Sequence, residues 1–155
     1  KGPGGYLWRK YSDKGMMGLV NGTKTEDDIN AGIIRFAELL LIEAEANIEW
    51  DGGDLAIAEA NINRVRARVN MPPVTDRSRE GLRKALRYER KAELCNEGFR
   101  WFDIRRLWND PLFQDDKKNY THKVGEQTYT LTEDRLTYRI PPKVMSFNSG
   151  WVDNN

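Results

Sequence analysis

The first strong pattern in the chain begins at Ile33, where Ile33, Ala37, Leu40, Leu41, Ala44 and Ile48 follow the i, i+4, i+7, i+8 spacing of one helical face. A helix is predicted from there to the break at Asp51-Gly52-Gly53. Asp54 can cap a second helix by accepting a bond from an otherwise unpaired backbone N–H, and Leu55, Ala58, Ile62, Val65 and Val69 make that helix's stripe. So short a Gly-rich connection leaves the two helices little choice but to pack antiparallel as a helical hairpin. Met71-Pro72-Pro73 ends it. A third helix is predicted from near Ser78, with Leu82, Ala85 and Leu86 on its apolar side, running to Glu97, where Gly98 can supply a left-handed turn or a close approach. Phe99 to Trp108 reads as a shorter aromatic helix, stopped before Pro111.

The flanks lack this periodicity. Residues 1–30 are rich in Gly, Asn, Asp and Thr with scattered aromatics, a loop-rich entry to the helical core of residues 31–110. Residues 111–155 read as a polar loop through Lys117-Lys118, then a small β-hairpin with Val124-Gly125-Glu126 as its turn and Gln127 to Leu131 as a strand. Ile140-Pro141-Pro142 cannot continue a regular helix or a central strand, so the tail is predicted to run extended over the surface. The fold class is mostly α: a helical hairpin plus further helices, with long loops and one small hairpin of strands.

Composition narrows the chemistry. Lys+Arg of 25 against Asp+Glu of 24 leaves a net charge of +1, without the basic excess of a protein that binds a phosphate backbone, so nucleic acid is set aside as a partner. The 39% hydrophobic fraction is enough for a packed core despite 32% charged residues. The single Cys95 excludes an intramolecular disulfide, and with the single His122 it cannot build an ordinary zinc site, so no metal is expected. No run approaches the ~18 apolar residues of a membrane span, and Lys1-Gly2-Pro3-Gly4-Gly5 has no apolar signal core. Any signal peptide or lipid anchor is expected to lie outside these residues.

The one constellation of candidate chemistry is Glu89, Glu93 and Glu97, a carboxylate row at i, i+4 and i+8 that continues the face of Leu82 and Leu86. Desolvating an unpaired carboxylate costs several kcal/mol, so each must meet arginines or backbone donors, or else carry a shifted pKa for catalysis. Partners abound: Arg64, Arg66 and Arg68 on the second helix, and Arg90, Arg100, Arg105 and Arg106 nearby in sequence. The row therefore reads as a structural ion-pair network, with Glu97 within sequence reach of Arg100 and Arg105. A glycoside hydrolase would set two such carboxylates across a cleft, but these point into the protein; no Gly-x-Ser-x-Gly elbow occurs, and Cys95 and His122 are far apart in the chain, so no catalytic residue and no cofactor is assigned.

Aromatic side chains are the remaining lead, since sugar rings stack on the flat faces of Trp and Tyr. Trp101 and Trp108 sit at helical spacing and are read as core. Trp8 and Trp50 lie in or beside turns and are the candidates for glycan contact.

Three segments carry a resemblance. Ile34 to Ala46 resembles the pattern R-x-A-E-x-L-L-x-x-A-E-A of the SusD/RagB family of outer-membrane nutrient-binding lipoproteins; Ala60 to Val69 resembles its I-N-x-V-R-x-R-A; and Glu89 to Arg106 resembles its E-R-R-x-E-L-x-x-E-G-x-R-x-x-D-L-R-R. They fall in the family's order and spacing. Tyr138-Arg139-Ile140-Pro141-Pro142 is similar to its closing Y-x-I-P, whereas Asn148-Ser149-Gly150-Trp151 departs from the usual Q-N-P-G-Y. The resemblance covers the C-terminal portion of the family, without its N-terminal helical repeats or its lipid-bearing cysteine. It implies a tetratricopeptide-like scaffold, a place on the extracellular face of the outer membrane through a lipid anchor outside this fragment, an oligosaccharide ligand, and a SusC-like TonB-dependent transporter as partner. It also implies that the motif residues are scaffold, because glycan contacts in the family come largely from variable loops. A tetratricopeptide-like module that binds only protein, or a family member that binds peptides, is the alternative.

Overall fold

The computed structural model describes residues 10, 32–113, 121–124, 127–138, 140–147 and 150. The chain divides into two compact units, Lys1–Glu97 and Gly98–Asn155.

In the first unit three helices, α1 (Phe36–Glu49), α2 (Leu55–Ala67) and α3 (Arg79–Glu93), each pack on the other two. The predicted stripes form the core: Leu40, Leu41, Ala44 and Ile48 from α1, Ala58, Ile62 and Val65 from α2, Leu82 and Leu86 from α3, with Leu94 just beyond. Ala37, Leu55 and Ala85 are only half-buried at its margin, and two stripe positions are exposed. Ile33 is 89% exposed, because α1 starts only at Phe36: Arg35 is extended, and its carbonyl receives the Glu38 and Leu39 N–H groups at 3.0 and 3.3 Å. Val69 is exposed because α2 ends at Ala67 and Asn70 turns the chain at a φ of 57°, after which the Met71 N–H bonds to the Arg66 carbonyl at 3.1 Å. Periodicity counts apolar residues and does not sense where the hydrogen-bonded ladder is capped.

The connections are held by side chains that satisfy helix ends. Asp54 caps α2 by accepting from the Ala56 N–H at 2.8 Å, and its own N–H donates to Asn47 Oδ1 at 2.9 Å. A Cβ on Gly53 would overlap the backbone of Asn47, so only glycine lets the turn close this tightly on α1. Asn63 Oδ1 accepts from the Val74 N–H at 2.8 Å and ties the proline-bearing link to α2; Ser78 caps α3 by accepting from the Gly81 N–H at 3.0 Å.

The third helix is shorter than the sequence suggests. It stops at Glu93, Leu94 leaves helical geometry, and Asn96 takes a φ of 64°, so Glu97 stands on a turn rather than on the helix. Gly98 takes the expected left-handed conformation, φ 85°, and starts α4 (Phe99–Arg106). Within the second unit, Ile104 and Leu136 form a small core lined by Trp101, Leu107, Trp108 and Leu131. The expected strand pairing is present: β1 (Thr121–Val124) pairs antiparallel with β2 (Gln127–Thr130), His122 opposite Tyr129; Val124 belongs to β1 instead of the turn, β2 stops short of Leu131, and Gly125, Glu126 and the Lys117-Lys118 loop lie outside the described residues. The tail departs from expectation. Pro142 opens a short helix, α5 (Pro142–Met145), whose Val144 and Met145 N–H groups return to the Pro141 carbonyl at 2.8 and 3.1 Å; a proline ends helices but is well suited to begin one.

The two glycines separate two effects. Gly53→Ala forces backbone apart and is expected to cost about 3 kcal/mol, whereas Gly98→Ala meets open space and pays only left-handed strain, about 1 kcal/mol. Urea denaturation of both variants measures this, and a Gly53→Ala loss no larger than that at Gly98 contradicts the close-approach account.

Candidate functional site

The carboxylate row meets its cations inside the first unit. Arg35, at the cap of α1, reaches to the end of α3: its Nε and Nη2 donate to the two oxygens of Glu97 at 2.8 and 2.7 Å, its Nη1 to Glu93 Oε1 at 2.9 Å, and Nη2 again to the Glu93 carbonyl at 2.9 Å. The planar fork of arginine is what allows one side chain to hold two carboxylates and a carbonyl at once. Arg68, the residue that follows α2, donates to the other Glu93 oxygen at 2.6 Å, and Arg66 of α2 pairs with Glu89 while its Nε donates to the Pro72 carbonyl at 2.7 Å. Lys10 adds a second cation to Glu97 and donates to the Cys95 carbonyl at 3.2 Å. Arg83 with Glu49, at 2.7 Å on both oxygens, and Arg77 with Glu59, at 3.0 Å, add pairs nearer to solvent.

Electrostatics follow the geometry. The Glu97 side chain is only 4% exposed, and burial pushes its carboxyl upward, yet the hydrogen bonds from Arg35 and Lys10 outweigh that and hold it below the usual 4.5. Glu93 is likewise pushed up by burial and drawn down further by Arg35 and Arg68. Arg35, bonded to Glu97, is held charged well beyond the ordinary arginine range. Both carboxylates are therefore fixed in the ionised form with both oxygens occupied. A general acid needs the opposite, a raised pKa and a proton to give, so this geometry suits a joint between three helices.

The placement of the other singled-out residues differs from the sequence reading in instructive ways. Glu97 pairs with Arg35 and Lys10 instead of the nearby Arg100 and Arg105, because the chain turns at Asn96 and brings the carboxylate back toward α1. Arg105 lies over the Tyr138 ring at 5.5 Å, and Arg100, half-buried in the first turn of α4, has a partner of its own. Arg64 stacks on the Phe36 ring at 4.8 Å and, among the described residues, makes no ion pair. Arg35, the R that opens the first motif, is a partner that local pattern does not point to, because a lone arginine ahead of an apolar run carries no periodic signal. Trp50 is 68% exposed in the α1–α2 connection, with its ring laid against Gly52 and its carbonyl accepting from Arg79 at 3.0 Å. Trp8 lies outside the described residues, as does the His122 side chain. Among the described residues no group of His, Cys, Asp and Glu is arranged to hold a metal, and no helix is long and apolar enough to cross a membrane.

The three segments that supply Arg35, Arg66 with Arg68, and Glu89 with Glu93 and Glu97 are the three that carry the family resemblance. The SusD family model matches residues 1–152. The chain belongs to the SusD family. It is 38% identical over 97 residues to SusD-like protein P2 of Formosa agariphila, covering 58% of this chain and 19% of that protein, and 30% identical over 130 residues to SusD-like protein P38 of the same organism, covering 78% of this chain and 23% of that protein. The chain thus spans about a fifth of the length of these curated relatives. No solved structure gives a significant match.

Two predictions test the joint. Removing one carboxylate leaves a guanidinium uncompensated in a poorly solvated place, so Glu97→Ala is expected to cost about 3 kcal/mol, against less than about 1 for Glu80→Ala in the exposed Lys84 pair. Thermal denaturation of both variants measures the difference, and equal losses contradict it. The second concerns pH. Carboxyls whose folded pKa is depressed stabilise above their unfolded pKa, and that contribution is lost as pH falls through the folded value. Stability is therefore expected to hold from neutral pH down to about pH 5 and to fall below about pH 4, with a shallower fall in the Glu93→Gln, Glu97→Gln double variant. An unchanged acid slope in that variant would show that other groups govern the transition.

Proposed function

We propose that this chain is the C-terminal region of a SusD-type lipoprotein on the extracellular face of an outer membrane. It binds oligosaccharides without catalysis and passes them to a SusC-like TonB-dependent transporter. The observation that carries the reading is the convergence of the three family segments on one charge joint. The chain shares with the SusD family the residues that set the relative positions of its helices, as well as its sequence pattern. Family membership supports a binding role, and the saturation of Glu93 and Glu97 by cations supports the absence of hydrolase chemistry, since neither carboxylate has a proton to donate or an open oxygen with which to activate water.

Within the chain, Trp50 is the proposed glycan contact. Its backbone is fixed by Arg79, and one side of its ring rests on Gly52 while most of the indole faces solvent, an arrangement that suits stacking against the C–H face of a sugar. A second reading, a tetratricopeptide-like module whose ligand is protein or peptide, draws support from the exposed Leu39 and Ile42 on the outer face of α1.

Affinity electrophoresis and calorimetry of the full-length protein against a panel of polysaccharides, oligosaccharides and peptides separate these readings. Glycan binding is expected, weakened roughly tenfold by Trp50→Ala, a loss of about 1.4 kcal/mol, at an unchanged melting temperature. Binding of peptides alone supports the second reading. Cleavage of any oligosaccharide, abolished by Glu93→Gln, would overturn the non-catalytic assignment.

A further inference from the structure

A groove of about 350 Å³ lies between α1 and α2, lined by the apolar Phe36, Leu40 and Val65 together with the side chains of Arg35, Arg64 and Arg68. Two of these cations are already committed, Arg35 to Glu93 and Glu97, and Arg68 to Glu93. Arg64 is placed differently. Its guanidinium carbon lies 4.8 Å from the centre of the Phe36 ring, and it makes no ion pair among the described residues. The cation–π contact with the ring helps to hold the group in position, and no hydrogen bond or ion pair with another described residue occupies its N–H donors. The joint beneath does not need Arg64, because Glu89, Glu93 and Glu97 are satisfied by other cations.

The complementary ligand is an amphipathic anion, with an apolar face for the apolar lining and a planar anionic group for the guanidinium. A neutral sugar would use only the apolar lining; a bare phosphate would use only the cation. Resting on the glycan-binding reading above, we infer that this groove is a subsite for an acidic sugar unit, a uronate whose carboxylate pairs with Arg64 and whose C–H face lies on the apolar lining. The carboxylate matches the arginine fork in shape as well as in charge. Arg64 then sets specificity for acidic over neutral glycans, at a place distinct from Trp50.

The test is calorimetry of the full-length protein with oligogalacturonate, oligoglucuronate and oligomannuronate, with the methyl esters of each, with neutral oligosaccharides, and with an acidic peptide of alternating Asp and Ile. At least one uronate is expected to bind about tenfold or more tightly than its own ester, as a hydrogen-bonded charge pair implies. That preference is expected to vanish in Arg64→Met, which keeps the apolar stem, and to survive in part in Arg64→Lys; both variants should keep the parent melting temperature. Equal affinity for acid and ester, or a preference that persists in Arg64→Met, overturns the subsite. Neutral glycans binding alone would remove the subsite and leave the glycan-binding reading standing. Binding to no glycan removes both, and tight binding of the acidic peptide in that case assigns the groove to a protein partner.

Discussion

The arrangement of the three-helix unit depends on one side chain, Arg35, that ties the start of α1 to the end of α3. It stands where α1 begins, on a backbone too extended to be helical, and it closes four hydrogen bonds onto the end of α3 and the turn beyond it. Apolar packing holds the three helices together but is nondirectional, and stripes such as Leu40, Leu41, Ala44 and Ile48 tolerate some rotation and sliding. A forked cation that must satisfy two carboxylates and a carbonyl does not. The Arg66–Glu89 and Arg68–Glu93 pairs fix α2 to the same face of α3, so the directional interactions define the arrangement that the hydrophobic core merely favours.

This explains why segments far apart in the chain carry one family pattern. Each contributes charges that are costly to bury alone, so the loss of any single partner leaves the others uncompensated. The residues that carry the family resemblance therefore mark a mechanical joint, and the recognition sites proposed above lie elsewhere: at Trp50, whose ring lies against Gly52 and whose carbonyl accepts from Arg79, and at Arg64, which the joint leaves out. A binding protein benefits from this separation, since its contacts can vary without disturbing the scaffold that presents them.

Much of the fold was legible in the sequence because burial is periodic. The stripes of α1, α2 and α3, the caps at Asp54 and Ser78, the left-handed Gly98 and the pairing of the hairpin strands all follow from local pattern. The errors occur where local pattern loses its authority. Ile33 is apolar and in phase but precedes the cap; Glu97 is in phase but lies beyond a turn at Asn96; Ile140-Pro141-Pro142 reads as an extended tail, yet Pro142 begins a helical turn. The charge row was legible as a network because buried carboxylates must be paired, yet the identity of its principal cation was not. Arg35 lies 62 positions from Glu97, and no periodicity links residues that only tertiary folding brings together.

The central claim is that Arg35 and Glu97 act as one structural unit and take no part in ligand recognition. A double-mutant cycle on Arg35→Met and Glu97→Gln, read by denaturant unfolding and by glycan affinity of the folded variants, addresses it directly. The account predicts a coupling of about 2 kcal/mol in stability, the double variant being far less destabilised than the sum of the singles, with no coupling in glycan affinity. Additive losses in stability, or a coupling confined to affinity, would contradict it and make the pair part of a binding site.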